Sequence, residues 1–112
     1  MPIIFKLGVA IMTVATGMLA LYGPKALTGF TGLSPIGGRG ITEMRAIFGG
    51  LFIALGLYPI VIGGPIAYEM LGWAYLSIAV VRLVSIFLDK SSSRSNWISF
   101  AVELVFGAIL IL

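Results

Sequence analysis

The chain has 112 residues, of which 60% are apolar and only 10% are charged. Its mean hydropathy is +1.15, and a soluble domain carries about 25% charged residues. So few charges cannot cover a water-facing surface, which excludes a soluble globular protein. The high content of Leu, Ile, Val and Phe excludes intrinsic disorder.

The sequence contains neither Cys nor His. Disulfides, zinc sites of the usual kind, histidine-ligated haem and Cys or His nucleophiles are therefore excluded within the chain, and we expect no metal and no cofactor. The net charge is +3, but the basic residues stand beside apolar runs. This placement favours membrane lipids as partners and argues against nucleic acid.

The first apolar run covers residues 7–22 and follows Lys6. A signal peptide has a similar composition, but no small-x-small cleavage pattern lies near the end of the run, so we expect a retained helix. Residues 23–41 are rich in Gly and Pro and predict a loop with at most one interfacial helical turn. Within it, Gly37-Gly38-Arg39-Gly40 resembles an anion-binding turn, but it lacks the spacing of known phosphate loops, which favours a flexible connection.

Three further runs predict helices over residues 42–62, 66–88 and 97–112, each near the length needed to cross a bilayer. Thr42 is a candidate N-cap for the second helix, and Ser95 or Asn96 for the fourth. Gly63-Gly64-Pro65 predicts a tight turn, and residues 89–96 a polar loop. The predicted fold is all-α, a single domain forming an integral membrane antiparallel bundle of four transmembrane helices.

Lys and Arg near the helix ends predict the orientation in the membrane. Only Lys6 lies on the side of the N-terminus and the 63–65 turn. The other side carries most of the basic residues, namely Lys25, Arg39, Arg45, Lys90 and Arg94. We therefore expect the loops 23–41 and 89–96 to be cytoplasmic.

Charges within the predicted spans are the first place to look for function, because burying them in a bilayer is costly. Arg82 lies about 10 Å from the end of the third span, and Glu103 about 9 Å from the start of the fourth, at 1.5 Å per residue. A short loop joins these two spans, so the two charges should sit at matching depth. Adding the ionisable residues at neighbouring helix ends predicts a buried polar cluster of Glu43, Arg45, Arg82, Asp89 and Glu103.

Three interpretations of this cluster stay open. It would fix helix register as an ion-pair network, it would serve as a proton or substrate site, or its arginines would hold an anionic lipid head group. In the third interpretation the head group is bound by Arg39 and Arg45 together with Arg82.

Small residues form a second pattern. Gly49, Gly56 and Gly63 are seven residues apart in the second span, a spacing that predicts close helix packing. A similar stripe runs along the first span, formed by Ala10, Thr13, Gly17 and Ala20.

Two segments of the chain resemble a family. Residues 43–50 read Glu-Met-Arg-Ala-Ile-Phe-Gly-Gly, residues 82–89 read Arg-Leu-Val-Ser-Ile-Phe-Leu-Asp, and Glu103 follows in the last span. These residues resemble the E-x-R-A-x-[FY]-G-G and R-L-x-S-x-x-x-D motifs of a bacterial family of four-helix membrane proteins of unknown function, loosely related to the DoxD-like membrane proteins. The resemblance covers the last three helices and implies a fold and a bacterial inner (plasma) membrane location, but no activity.

Two functions from different classes are consistent with these patterns. The first is a non-catalytic accessory or scaffold subunit, which packs against other integral membrane subunits or against itself. The second is a small proton-coupled or small-molecule transporter that uses the Arg/Glu cluster. We do not expect an enzyme, because acid–base chemistry would depend on carboxylates already paired with arginine.

Overall fold

The computed structural model describes residues 1–112 and contains four long helices. They are α1 (Ile3–Tyr22), α2 (Gly37–Val61), α3 (Pro65–Leu88) and α4 (Arg94–Ile111), and no strand is present. All four are long and apolar enough to cross a membrane. The predicted all-α bundle is therefore confirmed, and the chain is an integral membrane protein.

Helix α2 begins earlier than the sequence predicts. It starts at Gly37, so the flexible connection predicted over residues 37–40 is wrong, and Thr42 lies inside the helix rather than at its N-cap. Gly37 adopts a positive φ of 61°, and a Cβ on Gly40 would lie 3.1 Å from the Cα of Pro35. These glycines let the chain turn sharply into the helix, because a side chain at Gly37 would be strained and one at Gly40 would crowd Pro35.

The connection between α1 and α2 contains two consecutive short helical turns, one more than the sequence predicts. A 3-10 turn covers Pro24–Leu27 and a single α-turn covers Thr28–Thr31. The α-turn ends at Gly32, whose φ is 76°, the left-handed conformation that commonly terminates helices. The segment therefore stays compact against one end of the bundle.

Two local features of the remaining helix ends correct the sequence predictions. Gly63 belongs to the α2–α3 turn, with a φ of 78°, and a Cβ there would meet nothing within 4 Å, so it is not a packing residue. Helix α4 begins at Arg94, and its cap is Ser93, whose side chain accepts a hydrogen bond from the N–H of Asn96. The cap lies two or three residues earlier than predicted, so neither Ser95 nor Asn96 is the N-cap.

The bundle consists of two tightly packed helix pairs. In the first pair, a Cβ on Gly56 of α2 would lie 2.6 Å from the carbonyl oxygen of Ala10 in α1, and one on Gly49 would lie 3.3 Å from that of Gly17. In the second pair, Gly72 of α3 faces Gly107 of α4 equally closely. The predicted packing roles of Gly49 and Gly56 are confirmed, since only glycine allows these backbones to approach.

The contact between the two pairs is limited. One apolar cluster joins α1 to α3 and α4, and its buried members are Val9, Ala10, Tyr68, Leu71, Tyr75 and Leu110. Only 19 of the 112 residues are buried, and the Cα envelope is flattened, at 40 × 31 × 16 Å. Most apolar side chains therefore point outward, as expected where lipid takes the place of water.

Part of α2 departs from α-helical geometry. Residues Met44–Leu51 form a π-helix, which has one extra residue per hydrogen-bonded turn and is frequent at functional sites. This stretch carries most of the first family-like segment. It packs against the end of α1 through Gly49, whose Cβ would meet Leu21 at 3.3 Å.

Candidate functional site: an ion pair at an enclosed cavity

Arg82 of α3 and Glu103 of α4 form a bidentate ion pair. The Nε and Nη2 atoms of Arg82 each donate to one carboxylate oxygen of Glu103, both at 2.8 Å. The side chains are 30% and 11% exposed. This pairing confirms the prediction from matching depth, and the planar guanidinium matches the carboxylate in the way such pairs require.

Asn96 is hydrogen-bonded to the arginine of this ion pair. Its side-chain oxygen accepts from Nη1 of Arg82 at 3.0 Å, and its Nδ2 donates to the carbonyl oxygen of Ser91 at 2.9 Å. Arg82 is thereby tied both to α4 and to the loop before it. The sequence analysis considered Asn96 only as a cap, although its position two helical turns before Glu103, on the same face of α4, was a usable signal.

The other predicted members of the cluster lie elsewhere. Glu43 pairs with Arg39, one turn away on the exposed face of α2, and Asp89 is exposed at the end of α3. The prediction of one five-residue cluster is therefore wrong. Rotation of α2 about its axis directs Glu43 toward Arg39. Asp89 follows Arg82 by seven residues at the end of α3 and borders a common surface groove with it, but it forms no ion pair with Arg82.

Arg45 has a different role from the predicted one. Its Nε donates to the carbonyl oxygen of Leu21 at 3.1 Å, within the last turn of α1. The last carbonyls of a helix have no intrahelical donor and carry partial negative charge, so a cation there is stabilising. Arg45 thus joins the π-helical stretch of α2 to the end of α1. Arg39 and Arg45 do not converge with Arg82 on one head-group site.

A cavity of about 390 Å³ lies between the two helix pairs, and the ion pair forms part of its wall. Its aromatic walls are Phe30, Phe48 and Phe52, and Tyr75 and Ile78 line the side toward α3. All four long helices contribute, and the 24–33 connection closes one end through its own side chains. Leu27, Phe30, Thr31 and Leu33 supply that closure.

Two other hollows define the surroundings of the site. A hollow of about 510 Å³ beside the 63–65 turn has no charged residue in its walls. A shallow polar groove of about 530 Å³ lies outside α3 and reaches from Ser77 to Asp89. Arg82 and Ile78 line both this groove and the enclosed cavity. Arg82 therefore stands between the polar loop side and the apolar interior.

A buried hydrogen bond joins the two helix pairs. The hydroxyls of Thr13 in α1 and Tyr75 in α3 are hydrogen-bonded. The Thr13 hydroxyl also donates to the carbonyl oxygen of Val9 at 2.9 Å, and a hydroxyl has a single hydrogen, so Tyr75 must be the donor between the two. The sequence placed Thr13 in a packing stripe, and the stripe is confirmed by the burial of all its members. The partner on α3 is not evident from the sequence.

No family model, curated protein or solved structure matches this chain.

Proposed function

We propose that the chain is a non-catalytic integral membrane subunit that packs against partner membrane helices. The observation that carries this proposal is a stripe of small residues on the outer face of α2. Ala46, Gly50 and Ala54 are four residues apart and all exposed, and a Cβ on Gly50 would meet nothing within 4 Å. Small residues at this spacing let a second helix approach closely in a membrane.

The charge distribution supports a non-catalytic role. The two ionic groups between α3 and α4 neutralise one another, and each carboxylate oxygen of Glu103 accepts from Arg82. A carboxylate held in this way is a poor general base, because losing its partner would leave a guanidinium uncompensated in the membrane. Glu43 is likewise paired, with Arg39.

The location proposed for this subunit is the inner membrane of a bacterium. The family resemblance supports a bacterial source. The basic residues Lys25, Lys90 and Arg94 lie at the end of the bundle that holds the two longer connections, and such an excess of positive charge favours the cytoplasmic side.

A glycine substitution tests the proposal. Gly50→Leu fills the exposed stripe, and Gly8→Leu is the matched control, because Gly8 lies on α1 and a Cβ there also meets nothing within 4 Å. Complexes are extracted from native membranes in mild detergent and sized. We expect the unmodified chain and Gly8→Leu to elute in the same larger assembly and Gly50→Leu to elute as the bare chain. Equal sizes for all three would contradict the proposal.

A transporter is the second candidate, and the position of Arg82 favours it. That residue lines both the enclosed cavity and the polar groove that leads to the loop. A carrier would need this route to continue to the opposite membrane face. Uptake into vesicles that contain the purified chain, compared with vesicles that contain Arg82→Leu, would separate a carrier from a subunit.

A further inference from the structure

The cavity between the helix pairs has the characteristics of a small-molecule site. Its volume of about 390 Å³ lies at the lower end of the range for ligand pockets, about 300–1,000 Å³. Such pockets have mainly apolar walls with a few polar groups that fix orientation. Here nine of the 13 lining residues are hydrophobic, and the polar ones include the ion pair. The volume suits a small molecule rather than a whole phospholipid.

Charge limits what this cavity would accept. Arg82 and Glu103 form a neutral pair, so a charged ligand would bring an uncompensated charge into a low-dielectric site. An anion would also be repelled by Glu103, which is only 11% exposed in its side chain. The electrostatics of the pair therefore favour a ligand without net charge.

Hydrogen bonding limits the ligand further. A guanidinium has five N–H groups, and Arg82 uses three of them, two toward Glu103 and one toward Asn96. Two donors thus stay free on a residue of the cavity wall. A carbonyl or hydroxyl oxygen would match them, while the three phenylalanine rings of the wall favour an aromatic body.

We propose that this cavity binds a small neutral aromatic molecule that carries a carbonyl or hydroxyl group, with its oxygen toward Arg82 and its ring among Phe30, Phe48 and Phe52. The 24–33 connection covers one end of the cavity, and its side chains Phe30 and Leu33 are 50% and 46% exposed. An apolar ligand would enter past these two side chains, from the membrane interface. The inference requires binding only, and it does not depend on the association of α2 with partners.

Benzophenone is a suitable probe, because it is a neutral aromatic ketone that forms covalent bonds with nearby C–H groups under ultraviolet light. The purified chain is irradiated in detergent with benzophenone or with the anionic benzophenone-4-carboxylate, and the labelled residues are located by mass spectrometry. We expect benzophenone to label Phe48, Phe52 or Ile78. We expect the anion to label the same residues at least about tenfold more weakly, since inserting a charge into the membrane-embedded cavity is costly.

Two variants and one matched control test the site and its preference for uncharged ligands. Ile78→Trp fills the cavity and should abolish labelling at Phe48 and Phe52. Val80→Trp makes a similar change on α3 at a side chain that is 63% exposed, and it should leave labelling unchanged. Glu103→Gln leaves the positive charge of Arg82 without a counter-ion, so this variant should be labelled more strongly by benzophenone-4-carboxylate than by benzophenone. Thermal melts confirm that each variant is folded.

The outcomes separate this inference from the proposed function. Labelling that is spread over the lipid-facing side chains and is unaffected by Ile78→Trp would overturn the cavity site. Equal labelling of the cavity by both probes would show that the cavity does not prefer uncharged ligands, and it would overturn the proposed ligand class. Gly50→Leu should bind benzophenone normally whether or not it assembles, so a failure of either proposal is recognisable by itself.

Discussion

Removal of either member of the Arg82–Glu103 pair should destabilise the bundle more than replacement of both. Arg82→Leu leaves the carboxylate of Glu103 without its two donors, in a side chain that is only 11% exposed. Breaking a buried pair costs about 3–5 kcal/mol, and we expect about 3 kcal/mol here. Glu103→Leu should cost less, about 2 kcal/mol, because the Arg82 side chain is 30% exposed and keeps its bond to Asn96.

The double variant removes both charges and should recover part of this loss, with a coupling free energy of at least about 1 kcal/mol. The free energy of unfolding is measured for all four proteins by titration with a denaturing detergent in mixed micelles.

Additivity would refute this reasoning. If the double variant loses as much stability as the two single variants together, the two residues are not energetically paired. Glu103 would then be available for proton exchange, and the transporter would become the better candidate. Asn96→Ala provides a graded control, since it removes the neutral acceptor of Arg82 and the bond to the Ser91 carbonyl, and it should cost about 1–2 kcal/mol.

The other predictions concern packing, topology and the contact between the helix pairs. Gly56→Leu should strongly lower the melting temperature in detergent, because its Cβ would lie 2.6 Å from a backbone oxygen of α1. Gly50→Leu, whose Cβ would meet nothing within 4 Å, should melt like the unmodified chain. Equal melting temperatures for the two variants would show that α1 and α2 are not tightly packed at Gly56. Cysteines placed at Ser92 and Gly64 should react with impermeant reagents from opposite membrane faces, and labelling of both from one face would exclude four spans. Thr13→Val removes the acceptor of the buried hydroxyl on α3 and should cost about 0.6–1.7 kcal/mol in denaturing-detergent titration, whereas no loss would show that the bond is not formed in the membrane.

The sequence by itself determined the number of spans and how deep each residue lies. Helical rise is constant, and a short loop sets α3 and α4 antiparallel, so counting along the chain was enough to bring Arg82 and Glu103 to the same level. The seven-residue spacing of Gly49 and Gly56 likewise indicated a packing face. Both results depend on distances along a helix axis, which local sequence dictates.

Only the tertiary structure decided which residues at one depth meet. In a helix that is apolar all round, hydrophobic periodicity does not mark an inner face, so the direction of Glu43 and Arg45 could not be predicted. Rotation of each helix is set by contacts with helices distant in sequence. Those contacts pair Thr13 with Tyr75 and leave the cavity open between the two tightly packed pairs, because glycine brings α1 to α2 and α3 to α4 more closely than either pair approaches the other.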